Sequence, residues 1–240
     1  MQECCIASNG GGQLRCGLWT PEGEAKAVVQ IIHGIAEYVP RYAGFAAFLN
    51  ARGFLVTGED HMGHGKSHGT EHCHFSGGWC AAVDDSILID VGDILQGSAL
   101  SSYNILQEGG ENSPMATALR YIGYDAFVLG NHEFNWGIPT MQSILGQASF
   151  PVLAANVTGA QGEPVTGAGW TIVERGGVKL AVIGEVTPDV PIWDSGKDGI
   201  DDAVYEAANV AVGKAIDEIG DQADVIMVSA HMGMYAEFDE

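Results

Sequence analysis

"YDAFVLGNHEFNWG", residues 124–137, is the stretch on which the reading of this chain turns. It opens on a short apolar run that reads as a buried strand. It then breaks at Gly130 and sets Asn131, His132 and Glu133 in succession. Asn and His are poor strand residues, and placing them together at a buried strand end is costly unless they find partners. The pattern points to a site.

Two other apolar runs end in the same way. "SILIDVGD", residues 86–93, closes on Asp93, and "ADVIMVSAH", residues 223–231, closes on His231. In one parallel sheet all three ends would share an edge, the place where open α/β sheets bind ligands. A Gly-Asp pair alone is most often a turn, and a lone His at a strand end is most often structural. A carboxylate, an amide oxygen and an imidazole in this order at three strand ends suit Mn²⁺, Fe or Zn²⁺ instead.

The rest of the chain alternates strands and helices, which predicts α/β layers. Strands are expected in residues 13–21 (closed by Pro21), 27–34 (buried), 54–60 and 150–157. A helix over 41–53 would use Tyr42, Phe45, Phe48 and Leu49 as its apolar face. Ser113 caps a helix that has Pro114 at its first position, and residues 138–147 form another. A hairpin turns at Gly176-Gly177, and one long amphipathic helix covers 201–220.

The chain has 240 residues and a net charge of −21. Such a surface repels nucleic-acid backbones and anionic membranes. No run of 18 apolar residues marks a membrane span. The opening "MQECCIASNGGGQ" lacks the basic and apolar regions of a signal peptide, so a cytoplasmic setting is expected. Five cysteines, two of them adjacent, make no disulfide framework.

From residue 86 onward the sequence resembles the calcineurin-like metallophosphoesterases, in their 5'-nucleotidase and 2',3'-cyclic-nucleotide phosphodiesterase branch. The motifs that carry the likeness are "ILIDVGDILQG", "YDAFVLGNHEFNWG", "FPVLAANV", "GVKLAVIGEVTPDVPIWD" and "ADVIMVSAHMGM". The resemblance implies a layered α/β/β/α core and hydrolysis of a phosphate ester, with a nucleotide or other small phosphate ester as substrate. It implies divalent metal ions (Mn, Zn or Fe), two in the family. Asp93 would be the bridging carboxylate, Asn131 and His231 ligands of the second metal, and His132 the residue acting on the phosphoryl group or leaving oxygen. Asn135 falls where 5'-nucleotidases often carry an Asp paired with that His, and looks more like the cyclic-phosphodiesterase branch. The branch is often exported, against the cytoplasmic expectation. No D-x-H precedes Asp93 and no G-H-x-H follows His231, so the family's ligand set is incomplete and the activity is expected to be impaired.

Residues 20–85 resemble the monoacylglycerol-lipase and lysophospholipase group of α/β-hydrolases, through "AVVQIIHGIAEYVPRYAGFAAFLNARGFLVTGEDHMGHGKSHG" and "HFSGGWCAAVDD". Here His33-Gly34 would begin an oxyanion-hole loop. Ser67 sits in "GKSHG" but lies seven residues past a strand end, where a nucleophile elbow needs strand, Ser and helix in direct succession. The phosphate-loop pattern fails because its first Gly position holds Asp60. His61, His64, His68, His72, Cys73, His74 and Cys80 lack a spacing that organises a zinc site, so a solvated loop is expected. Glu59, Asp60 or His61 is a candidate replacement for the missing D-x-H.

The expected organisation is therefore an α/β-hydrolase-type strand-helix-strand segment over 1–85, joined to a metallophosphoesterase domain over 86–240. An open sheet edge would favour a homo-oligomer. Besides a metal-dependent phosphoesterase, the sequence leaves a non-catalytic chimeric fragment and a serine α/β-hydrolase acting on lipid esters as alternatives.

Overall fold

A computed structural model describes residues 1–8, 12–33, 37–67, 87–175 and 177–233. The chain divides into two compact units, Met1–Ser86 and Ile87–Glu240.

The first unit is a four-stranded sheet in the order β1-β2-β4-β3. Its strands are β1 (Gln2–Ala7), β2 (Gln13–Trp19), β3 (Ala27–Ile31) and β4 (Phe54–Asp60). β3 runs parallel to β4, and the other pairings are antiparallel. The connection between β3 and β4 carries α1 (Ala43–Asn50). Trp19, Ile31, Val39, Ala46 and Val56 form the core, with Tyr42 and Leu49 against it. β3 is not the buried strand its sequence suggests. It is an edge, with Val28 58% exposed. Nor do Phe45 and Phe48 share the buried face of α1. At 100° per residue Tyr42, Ala46 and Leu49 align, and the two phenylalanines fall outside that stripe. The Arg52 guanidinium lies 3.5 Å over the Phe48 ring instead. β1 was not legible in the sequence, because all six of its residues are exposed and carry no alternation.

The second unit packs two three-stranded sheets face to face. One holds β5 (Ile89–Asp90), β6 (Ala126–Val128) and β7 (Val152–Leu153), all parallel. The other runs β12-β10-β9, built from β9 (Trp170–Arg175), β10 (Val178–Val186) and β12 (Val225–His231). β10 pairs antiparallel with β9, as the hairpin reading expects, though Gly176 lies outside the described residues.

The alternation of side chains along each strand separates three cores. Ala126 and Val128 of β6 meet Val173 and Val182 between the sheets. Phe127 and Leu129 face the other way, onto the helices α3 (Pro114–Ile122) and α4 (Ile138–Leu145), through Leu119, Met141 and Ile144. Ala181 and Ile183 of β10 pack on Ala215 and Ile219 of α6 (Ala208–Ile219). The result is the layered α/β/β/α arrangement. Ser113 caps α3 as expected, its hydroxyl accepting from Ala116 N–H.

Further elements differ from the sequence reading. α2 (Ala99–Glu108) is additional, capped by the Ser98 side chain and ended by Gly109 in the left-handed region. The helix expected over 201–220 begins only at Ala208. Before it, β11 (Val204–Tyr205) pairs with β8 (Val157–Thr158). A short α5 (Val190–Asp194) follows β10. Among the described residues no helix is long and apolar enough to cross a membrane.

Glu185 on β10 is fully buried, and neither carboxyl oxygen has a hydrogen-bond partner among the described residues. Burial, with a smaller contribution from Glu206, pushes its pKa up to about 8. Glu206 itself holds Lys214 at 2.7 Å. In the unfolded chain the group titrates near its ordinary 4.5. The folded state therefore binds the extra proton between these values, and stability falls as pH rises through that window. Urea unfolding of the native chain and Glu185→Gln across this range should show the variant pulling ahead as pH rises. The gap should widen by on the order of 5 kcal/mol across this window and level off above about pH 8. A gap independent of pH would contradict this reading.

Candidate metal and phosphate site

The site is built where the segments after β5 and β6 touch. Gly92 has φ +84, and a Cβ there would come 2.1 Å from the Gly130 nitrogen, so the two backbones meet with no room for a side chain. Asp93 follows with φ 68, a conformation rare outside glycine but tolerated by Asp. Its carboxylate is thereby turned toward Gly130, and its Oδ1 accepts the His132 backbone N–H at 2.9 Å.

Glu133 holds the two segments together. Its fully buried carboxyl accepts four backbone N–H groups. Oε2 takes those of Asp93 and Gly130, each at 2.7 Å. Oε1 takes those of Ile94 at 2.7 Å and Leu95 at 3.1 Å. Burial pushes this carboxyl above its ordinary value while the four amides pull against that shift. Two donors on each oxygen suit the ionised form. Sequence reading named Glu133 only as part of "GNHE". Its role depends on contacts 38 to 40 residues away that no local pattern announces.

His231 arrives from the second sheet. The expectation of one shared sheet edge is corrected here: Asp93 and Asn131 follow strands of the β5-β6-β7 sheet, and His231 ends β12 in the facing sheet. Its Nε2 lies 3.2 Å from Asp93 Oδ2, and its Nδ1 2.5 Å from the Val91 carbonyl. A carbonyl only accepts, so Nδ1 carries a proton. A neutral His231 would then aim its Nε2 lone pair at a carboxylate. The arrangement calls for positive charge, supplied by a second proton on His231 or by a cation. Asn131 opens the 3-10 turn Asn131–Trp136 and is half-buried, between Gly130 and His132, both of which abut Asp93.

His132 heads a chain of polar contacts. Its Nδ1 lies 2.7 Å from Asn135 Oδ1. The Asn135 amide nitrogen donates to both oxygens of Asp194, at 3.1 and 3.0 Å. Asp194, buried at the end of α5, also pairs with Lys197. A carboxylate only accepts, so Asp194 fixes which end of the Asn135 amide faces His132. An amide oxygen then requires Nδ1–H, and Nε2 is left for the site. Asp194 and Lys197 were not named from sequence, because they lie about 60 residues from His132.

Ser67 is not placed as a nucleophile. Ser67 is 3% exposed, and its Oγ accepts the Arg15 backbone N–H at 2.6 Å. Asp60, a candidate substitute for the missing D-x-H, is 2% exposed and spends its two oxygens on the N–H groups of Val39 and Lys66, each at 2.8 Å. Of the histidines expected in a solvated loop, His64 is buried, and His61 stacks beside the buried His33 with ring centroids 4.3 Å apart. Burial lowers the His61 pKa. Gly34, His68, His72, Cys73, His74 and Cys80 lie outside the described residues. Among the described residues no three His, Cys, Asp or Glu side chains form a group able to hold a metal. Any ion at Asp93 and His231 needs Asn131 or further groups.

Comparison with known proteins agrees with both halves of the sequence reading. A family described as serine aminopeptidase, S33, matches residues 23–92. The trifunctional nucleotide phosphoesterase protein YfkN of Bacillus subtilis is 33% identical over 168 residues, covering 62% of this chain and 11% of that protein. The crystal structure of calcineurin-like phosphoesterase YfkN from the same organism superposes with a TM-score of 0.57 at 28% identity, covering 65% of this chain and 51% of that one. The chain joins a segment resembling α/β-hydrolases to a longer one resembling calcineurin-like phosphoesterases. Monoacylglycerol lipase of Mycolicibacterium smegmatis is 40% identical over 67 residues, 28% of this chain and 24% of that enzyme. The chain thus spans only a small part of the curated relatives it matches.

Replacing Glu133 by Gln would turn an amide nitrogen toward two of the four donors. Glu133→Gln should destabilise the second unit by about 2–3 kcal/mol, read as a lower urea midpoint. An unchanged midpoint would show that the carboxylate does not hold the segments together.

Proposed function

We propose that the second unit is a metal-dependent phosphoesterase site acting on a small phosphate ester of nucleotide type. The observation that carries this is the Asp93–His231 pair, held by the Val91 carbonyl in an arrangement that calls for positive charge. The donor chemistry fits one divalent cation in part: a carboxylate oxygen, an imidazole nitrogen and the Asn131 amide suit Mn²⁺, Zn²⁺ or Fe. When bound, such an ion would lower the pKa of water and draw charge from phosphoryl oxygens.

The chain's own residues supply the rest. Asp93 and His231 would hold the ion, with Asn131 as the third donor. His132, oriented through Asn135 and Asp194, presents Nε2 as the atom that gives or takes a proton at the ester oxygen. Nucleotides as substrates are supported by the names of the relatives, which include a 2',3'-cyclic-nucleotide 2'-phosphodiesterase/3'-nucleotidase of Salmonella typhimurium. The lack of a D-x-H before Asp93 supports a weak activity. A serine-hydrolase reading finds no support at Ser67.

Hydrolysis of bis-p-nitrophenyl phosphate with added Mn²⁺ tests the proposal. Asp93→Ala should abolish the metal-dependent rate, and His132→Ala should lower it by about 100-fold or more. Asp194→Asn, which frees the Asn135 amide to turn, should lower kcat by about 10-fold with KM little changed. A native chain without metal-dependent turnover would be a non-catalytic relative of these enzymes. Equal rates in all four proteins would place the chemistry elsewhere.

A further inference from the structure

We propose that Cys4 and Cys16 form a redox-modification site, a thiol pair that oxidises to an intrachain disulfide tying β1 to β2. The register sets the geometry: β1 and β2 are antiparallel, with Cys4 directly opposite Cys16. Directly opposed residues of such a ladder have Cα atoms about 4.5–5.5 Å apart and side chains on one face. That separation lies inside the range a disulfide spans.

Exposure and facing make the pairing selective. Cys4 is exposed and open to a dissolved oxidant, whereas Cys16 is 9% exposed and most readily reached through Cys4. Cys5, next in sequence, points to the opposite face, where Arg15 Nη1 donates to its sulfur at 3.3 Å. Burial, then the nearby Cys4 and Glu59, push the Cys16 thiol up to about 12. It is thus the poorer thiol to start the exchange, and its place opposite Cys4 makes it the resolving partner.

With a small-molecule disulfide as oxidant, the electrons and atoms balance. The Cys4 thiolate attacks one sulfur, and the S–S bond breaks to release one small thiol. Cys16 then loses its proton and attacks the Cys4 sulfur, forming the Cys4–Cys16 bond and releasing the second small thiol. The protein gives up two electrons and two protons, and the oxidant gains both. The site lies in the first unit and does not depend on the phosphoesterase reading.

The test is incubation of the full chain with oxidised glutathione at about pH 8, followed by non-reducing digestion and peptide mass analysis. The native chain and Cys5→Ser should each yield a cross-linked Cys4–Cys16 peptide, two hydrogens lighter than its reduced parts and free of glutathione. Cys16→Ala, and Cys16→Val as a better-packed second variant with its fold checked by circular dichroism, should stop at glutathione on Cys4. A native chain that retains glutathione on Cys4 with Cys16 still a free thiol would overturn the proposal. So would a disulfide joining Cys4 to Cys5, Cys73 or Cys80.

Discussion

The second unit depends on one buried carboxylate. Glu133 gathers four backbone N–H groups from two segments that run away from neighbouring strands, and these segments carry both Asp93 and Asn131-His132. Without such an acceptor, four amides would lose water with nothing in return, a cost of about 1–3 kcal/mol for each unpaired group. The close approach of Gly92 to Gly130 follows from the same clasp, since only bare backbone fits there. Asp93 accepts its left-handed conformation because its N–H is held by Glu133 and its carboxylate by the His132 N–H.

The layers then decide what the clasp can meet. The strand alternation that sends Phe127 outward and Val128 inward stacks one sheet on the other. The stacking brings the end of β12 over the end of β5, where His231 reaches Asp93 and Val91. The chemistry of the site is thus a product of two sheets.

Much of this was legible in the sequence. The polar residues at three strand ends stood out because they interrupt apolar runs, and Ser113-Pro114 announced a helix start. What was not legible has physical causes. β1 has no buried face to pattern it, and α2 carries apolar residues that stay exposed, among them Leu100, Tyr103 and Leu106. The outward turn of Phe45 and Phe48 reflects a helix whose buried stripe is made by the small Ala46. Asp194 orients His132 through Asn135, a contact bridging 59 residues that no local pattern records. The strand ends predicted one edge. The pairing of β12 with β10 placed His231 in a second sheet.

The most direct test of the central claim is a titration of the chain with Mn²⁺ followed by electron paramagnetic resonance, in which free aqueous ion gives the signal and bound ion loses it. The native chain should remove Mn²⁺ from the free pool, and Asp93→Asn and His231→Ala should each restore the free signal. Equal uptake by all three proteins would mean that the Asp93–His231 pair is not a cation site, and that its charge is met by a proton on His231.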